Sequence, residues 1–258
     1  NILQDNKYLL KKVKPISAKI AVVNGNKNQI FDWCVSGNID KHVNSVIGTF
    51  MALYDNNYNT DIISTDIIKE DKINDYDIIY YPFPYYIEEK VAIKLKEWVS
   101  NGGTLISESF FAGVKESDGL HSTKVPGYGF NEIFGVEEGQ VFTASTFKNA
   151  YGDNWAEENM SRNRIPVELR QKYSEITGIN KVSGYFFLEG LVPESAEVLA
   201  TFTDGQAAVT CNRYGKGKAI MVGTLVGYLY NKESNNNTGR FIASLVKEGG
   251  QRPLVQTD

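Results

Sequence analysis

Thiols are scarce in this sequence: Cys34 and Cys211 are the only cysteines in 258 residues. They lie far apart and without metal-ligand spacing, so two ordinary thiols are expected rather than a disulfide or a zinc site. That expectation, with no visible targeting segment, is the basis for a cytoplasmic location. Histidine is equally scarce, with His42 and His121 alone, which leaves little material for general-base chemistry. Twenty-seven Lys and Arg face 31 Asp and Glu, for a formal charge of −4 and no basic cluster. A phosphate backbone needs such a cluster, so a nucleic-acid partner is not expected. No apolar run approaches the roughly 18 residues of a membrane span, so no membrane partner is expected either. The N-terminus, NILQDNKYLLKKVK, reads as a polar amphipathic helix and not as a signal peptide.

What is present is an ordinary globular composition, 42% hydrophobic and 22% charged, enough for one large α/β domain with a real core. Its organising stretch runs from Asp75 to Ser107. A continuous apolar and β-branched run, Tyr76 to Tyr81, is stopped by Pro82 and Pro84 and reads as a buried strand. Glu88 to Ser100 follows, with Val91, Ala92, Leu95, Trp98 and Val99 at helical spacing. Gly102-Gly103 ends that helix, and Thr104 to Ser107 begins a second strand. Strand, helix and strand with short joins form a βαβ unit, so the strands should be parallel and the crossover right-handed.

Around that unit, Asn1 to Lys14 reads as a helix stopped by Pro15, and Ala18 to Asn24 as the first strand. A chain opening in mid-helix without a methionine is expected either to be excised from something longer or to be processed or numbered from an internal residue. Asn24 to Asn38, rich in asparagine, reads as a loop. Val43, Val46, Ile47, Phe50, Leu53 and Tyr54 form a helical stripe with Asp40 as its N-cap, and Asp61 to Ser64 is the second strand, followed by a short or missing helix. This alternation predicts a doubly wound, flavodoxin-like parallel sheet. A short helix is expected at Phe130 to Phe134. From about residue 137 to 194 the periodicity fails. That segment, with Phe142, Phe147, Tyr151, Trp155, Tyr173, Phe186 and Phe187, reads as an aromatic-rich insertion of hairpins and loops, with a helix around Val167 to Tyr173. Strands at Ala196 to Phe202, Ala207 to Cys211 and Lys218 to Gly223, then a helix at Thr238 to Glu248, close the domain.

The chemistry-bearing constellations are thin. LISESFFAG lies where a strand-to-helix nucleophile elbow would be, and offers Ser107, Glu108 and Ser109. A serine nucleophile needs a base. His42, in a helix's first turn, reads as a solvated surface residue, and His121 sits in a loop after Asp118. GKG at Gly215 to Gly217 lacks phosphate-loop spacing. Glu88/Glu89, Glu137/Glu138 and Glu157/Glu158 are adjacent pairs, which diverge whether helical or extended, so none forms a glycosidase pair. No catalytic, cofactor-binding or metal-binding residue is therefore assigned, and no cofactor is implied.

The order of pieces carries more than any one of them. DYDIIYYPFPYYIEEKVAIKLKEWVSNGGTLI, GVKESDG, PGYGFNEIFGV and AEVLATFTDGQAAVTCNRYGKGKAIMVGT resemble the trimerisation domain of family 42 glycoside hydrolases, the microbial β-galactosidases. The resemblance covers about Ser17 to Lys247. It implies an amidotransferase-like (class I glutamine amidotransferase-like) fold for residues 17–248, with residues 1–16 as a connector helix and 249–258 as a tail. It also implies a parent glycoside hydrolase whose catalytic glutamates lie in a separate (β/α)8 barrel, too large to fit here. The expected partners are then other copies of the same chain, as a homotrimer, and the parent's catalytic barrel. The exposed rings of the insertion would supply an apolar patch for that contact. The alternative is a stand-alone enzyme or sugar-binding protein of the trehalose-utilisation type, using a strand-end cleft between Asn24 and Ser109.

Overall fold

The computed structural model describes residues 2–143 and 164–255. Among them, four strands, β1 (Ile20–Asn24), β2 (Thr60–Ser64), β3 (Ile78–Tyr81) and β4 (Thr104–Glu108), lie parallel in the order β2-β1-β3-β4. The last strand in sequence, β11 (Gly217–Val222), adds parallel to β4. The helices that connect them are α3 (Asn26–Ser36), α4 (Asp40–Asp55), α5 (Thr65–Lys69) and α6 (Glu89–Ser100). Two short helices precede them, α1 (Ile2–Asp5) and α2 (Lys7–Lys12).

Beyond β11 the sheet turns antiparallel. β10 (Ala207–Tyr214), β9 (Glu197–Phe202), β6 (Arg164–Leu169) and β7 (Lys181–Tyr185) follow in that order. β8 (Phe187–Pro193) pairs with β10 and with β5 (Val136–Thr143). The remaining helices are α7 (Phe130–Phe134), α8 (Gln171–Thr177), α9 (Val226–Glu233) and α10 (Asn236–Glu248). The fold is thus a mixed α/β sheet with a parallel half and an antiparallel half.

Strand alternation decides where the helices go. Ile20, Val22, Ile78, Tyr80, Ile106, Ile220 and Val222 face one side, where Val46 and Leu53 of α4, Val226 of α9 and Phe241, Ile242 and Leu245 of α10 cover them. Their neighbours Ala21, Val23, Ile79, Tyr81, Leu105, Ala219 and Met221 face the other side, under α5, α6 and α7. Every residue of β3 and β4 is buried, as a parallel strand with helices on both faces requires. Among the described residues, no helix is long and apolar enough to cross a membrane.

Several expectations are met nearly to the residue: the βαβ unit of β3, α6 and β4, the helix Phe130–Phe134, and the hairpin of β10 and β11. Others are not. Asn24 to Asn38 is no loop, because Asn26–Ser36 is the helix α3, ended by Gly37 in the left-handed conformation (φ 73°). The single N-terminal helix is two short ones whose Ile2, Leu3 and Leu9 are exposed. Asp40 is inside α4 and not its cap; its backbone N–H is held instead by the Asn38 side chain at 3.2 Å. The helix placed around Val167 to Tyr173 divides into strand β6 and helix α8. The helix α9, between the last strand and the closing helix, is one that the sequence reading does not expect.

The segment 137–194 is woven into the common sheet rather than lying apart from it, since β6 pairs β9 and β8 pairs β10. Its rings are also less exposed than the sequence implies. Tyr173 is buried, Phe142 packs on the core, and Phe187 stacks on Phe83 at 6.0 Å. The expectation of a bare aromatic patch therefore fails for these residues, because the antiparallel strands bring their own cover. Phe147, Tyr151 and Trp155 lie outside the described residues.

Two close approaches depend on glycine. A Cβ on Gly48 of α4 would stand 1.9 Å from the Gly227 carbonyl oxygen of α9, so no side chain fits where these helices cross. A Cβ on Gly103 would stand 2.4 Å from the Trp98 ring, which packs with Val91 and Leu95 in the core.

Trp98→Ala is expected to cost about 3–5 kcal/mol through the cavity it leaves, or a melting temperature lower by roughly 2–4 °C per kcal/mol for a chain of this size. Thermal denaturation at neutral pH reads it directly. A variant as stable as the parent would contradict the phase assigned to α6.

Candidate functional site

In an open parallel sheet the usual ligand position is the crevice outside the strand C-termini, where the strand order reverses. Here that point lies between β1 and β3, and α3 spans it. Asn28, on the inner side of α3, accepts a hydrogen bond from the Tyr86 N–H (2.7 Å) and donates one to the Phe83 carbonyl (2.8 Å). Its amide also stands 2.8 Å from His42 Nδ1. His42 Nε2 accepts from the Gly25 N–H at 3.0 Å. One asparagine and one histidine thereby tie the loop after β1, helix α4 and the loop after β3 together.

His42 is fully buried, contrary to its reading as a surface residue. The first turn of α4 faces inward here, because α3 covers it. Burial drives the pKa of the ring down from 6.5 to about 4, only partly opposed by the Phe83 and Pro82 carbonyls. Lys27 of α3 adds an ion pair to Glu88 (2.8 Å), which also meets Lys69 at 3.3 Å.

The elbow residues are equally closed in. Ser107 is buried and donates to the Tyr81 carbonyl at 2.9 Å. Ser109 is buried against Glu189. Glu108 Oε1 accepts from the Gly227 N–H at 2.8 Å and from the Tyr80 hydroxyl at 3.3 Å. Glu189 Oε2 accepts from the Phe110 N–H at 2.7 Å. Burial raises both carboxyl groups to about 8. The nearby Glu138 raises Glu189 further. His121 is exposed on the loop, its ring at 3.0 Å from the Ser122 carbonyl. The structure thus separates the two histidines from each other and gives each its own backbone partner. Among the described residues, no cluster of three His, Cys, Asp or Glu is arranged to hold a metal.

Over this edge lies an aromatic cap. Phe83, Phe110 and Phe186 have left-handed backbones (φ 43°, 64° and 63°), a conformation that costs a non-glycine residue on the order of 1–3 kcal/mol. Packing holds them: Phe110 meets Phe187 edge-on at 4.9 Å, and Phe186 meets Tyr228 at 4.9 Å. The cleft between Asn24 and Ser109 that a stand-alone enzyme would need is therefore filled by the chain itself. A cavity of about 600 Å³ opens at the opposite edge, lined in part by Tyr58, Tyr173, Arg240 and Arg252.

Sequence reasoning missed Asn28, His42, Glu108 and Glu189 as a set. The one available signal was a lone glutamate inside each apolar run, LISES and FFLEG, which a buried strand tolerates only if the carboxyl stays neutral.

Taken together, these observations define a domain of the mixed α/β class in which Asn28 and His42 occupy the crevice between β1 and β3. The chain belongs to the β-galactosidase trimerisation domain family, whose profile matches residues 36–250. It is 27% identical over 225 residues to the β-galactosidase LacZ of Lactobacillus acidophilus, covering 80% of this chain and 28% of that protein. It is 30% identical over 188 residues to the β-galactosidase BgaB of a Geobacillus species, covering 70% of this chain and 23% of that one. The β-galactosidase structure from Bacillus circulans superposes with a TM-score of 0.72 at 23% identity, over 93% of this chain and 32% of that one. The chain therefore spans less than a third of each of these relatives.

Glu108 gives a stability test. Its pKa of about 8 in the folded protein stands above the ordinary 4.5, so the native state holds a proton that the unfolded chain releases. Stability due to this group is full below pH 4.5 and is lost as pH rises to about 8. Glu108→Gln keeps an oxygen for Gly227 and removes the titration. Its melting temperature should gain on the parent's between pH 5 and pH 8. His42 acts in the other direction: its stability is full above pH 6.5 and is lost as pH falls toward 4. His42→Ala should weaken the protein at neutral pH and flatten this acid limb. Denaturant titrations at pH 4.5, 6.5 and 8 check both.

Proposed function

We propose that this chain is the assembly module of a larger β-galactosidase-type glycoside hydrolase and that it associates as a homotrimer. The carrying observation is the match of residues 36–250 to a domain family named for trimerisation. The catalytic glutamates would belong to a barrel elsewhere in the parent protein, and this chain would contribute no catalytic, cofactor-binding or metal-binding residue. The buried Ser107 and Ser109 and the filled crevice support that division of labour.

In the same reading, residues 1–16 connect to the barrel, 17–248 form the module and 249–258 lead onward. The exposed apolar side chains of α1 and α2, Ile2, Leu3 and Leu9, suit a segment that is covered by the barrel. The parallel half, in the order β2-β1-β3-β4-β11, supports a flavodoxin-like, amidotransferase-like reading of the sheet. Two free cysteines, one of them exposed, suit a cytoplasmic location.

Light scattering at micromolar concentration should give three times the 28.8 kDa of one chain. A mass of 28.8 kDa that does not change with concentration would contradict the homotrimer. Assayed alone on a nitrophenyl galactoside, the chain should show no turnover above background, whereas sustained hydrolysis would overturn its non-catalytic role.

A further inference from the structure

α3 is built inside out. The residues it turns inward are polar, Asn28 and Asp32, and Ile30, Trp33 and Val35 point to solvent. Ile30 remains 63% exposed and Trp33 61%. The adjoining α4 continues the pattern. Ile47, Met51 and Tyr54, at i, i+4 and i+7, are exposed, while Val46, Ala52 and Leu53 face the core. Large exposed apolar side chains grouped on neighbouring elements are the informative departure from ordinary burial.

We propose that this outward face of α3 and α4 is the surface that a second copy of the chain covers in the assembled protein. The proposal rests on the oligomeric reading above and specifies where on the fold the contact lies. Its area fits such a contact. With about 200 Å² for a large side chain, the exposed fractions of Ile30, Trp33, Val35, Ile39, Ile47, Met51 and Tyr54 amount to roughly 700 Å², near the ~800 Å² that each partner gives to a stable interface.

Its composition fits as well. Trp and Tyr are the residue types that anchor interfaces, because each buries a large area with few rotamers to freeze. Nearby cations are already paired, Lys27 with Glu88 at 2.8 Å and Lys41 with Asp32 at 3.6 Å, so covering the face strands little charge. The ridge is held in place beforehand. Asn28 pins α3 to the loop after β3, and Phe31 stacks on Tyr86 at 5.6 Å, so little further ordering is needed on binding.

The competing apolar surface, α1 and α2, carries Lys7, Lys11 and Lys12, followed by Lys14. Two copies meeting there would bring like charges together. That argues for α3 and α4 as the self-contact.

Cys34, next to Trp33 on the same ridge, is exposed, whereas Cys211 is only partly so. This permits two independent readouts. In a Cys211→Ser chain, Cys34 labelling by an aromatic disulfide reagent should slow about tenfold between dilute and concentrated protein, as expected of a thiol that is covered most of the time. In the second, Ile30→Asp/Trp33→Asp should weaken self-association by at least about tenfold, the loss of one interface anchor, with the circular dichroism spectrum unchanged. Leu9→Asp on α2 should leave the assembled mass as it was. If the chain assembles, but the double variant keeps the parent's mass and Cys34 labels at its dilute rate, the face is wrong and the oligomeric reading stands. A parent chain that stays at 28.8 kDa at every concentration overturns both.

Discussion

Burial of the central parallel strands on both faces is the constraint from which the rest of this structure follows. Every side chain of β3 and β4 is buried, and in β1 and β11 only Asn24 and Lys218 are partly exposed. Each strand therefore requires a helix above and a helix below, and the sequence supplies them in order. The covering helices must approach closely enough to exclude water, which is why Gly48 and Gly227 stand where α4 and α9 cross. The antiparallel half extends the same sheet from β11 outward.

That constraint also shapes the strand ends. Glu108 and Glu189 lie in segments that must be buried, so their carboxyl groups are driven toward the neutral form and given backbone N–H partners from Gly227 and Phe110. α3 bends over the neighbouring crevice and is fastened there by Asn28 and His42. A position that in related sheet architectures receives a ligand is here spent on internal packing. Function on a widely used fold lies in what is grafted onto it. In the oligomeric reading proposed above, the grafted feature is an exterior surface. The polar groups needed to close the crevice occupy the inner side of α3, so its apolar side chains are left outside.

Legibility followed the ratio of local to tertiary signal. α6 was readable because its apolar side chains repeat at helical spacing and face the sheet directly. β3 was readable because a strand covered on both faces shows an unbroken apolar run. α3 was unreadable by the same rule: a helix with polar residues inside and apolar ones outside has no inward stripe to find, and its asparagines resemble a loop. α9 escaped because glycine at its second position and its eight-residue length suggest a turn. The strands between residues 137 and 194 were hidden for another reason. β6 and β8 also pair outside the segment, with β9 and β10, and the alternation is broken by bulges such as that between Glu138 and Val141. Of the candidate site, the burial of His42 could not be read from an exposed-looking first helical turn, because its cover comes from α3.

The sequence by itself determined the parallel βαβ core, the order of its strands along the chain, the scarcity of histidine and cysteine, and the family. Each depends on local periodicity, composition or motif order, which are properties of neighbouring residues. Only the tertiary structure decided that the crevice is filled, that two glutamates and a histidine are buried as neutral groups, and that α3 and α4 turn apolar side chains outward. Those outcomes depend on which distant segments meet: burial is a property of the whole packed molecule, and no window of the chain contains it.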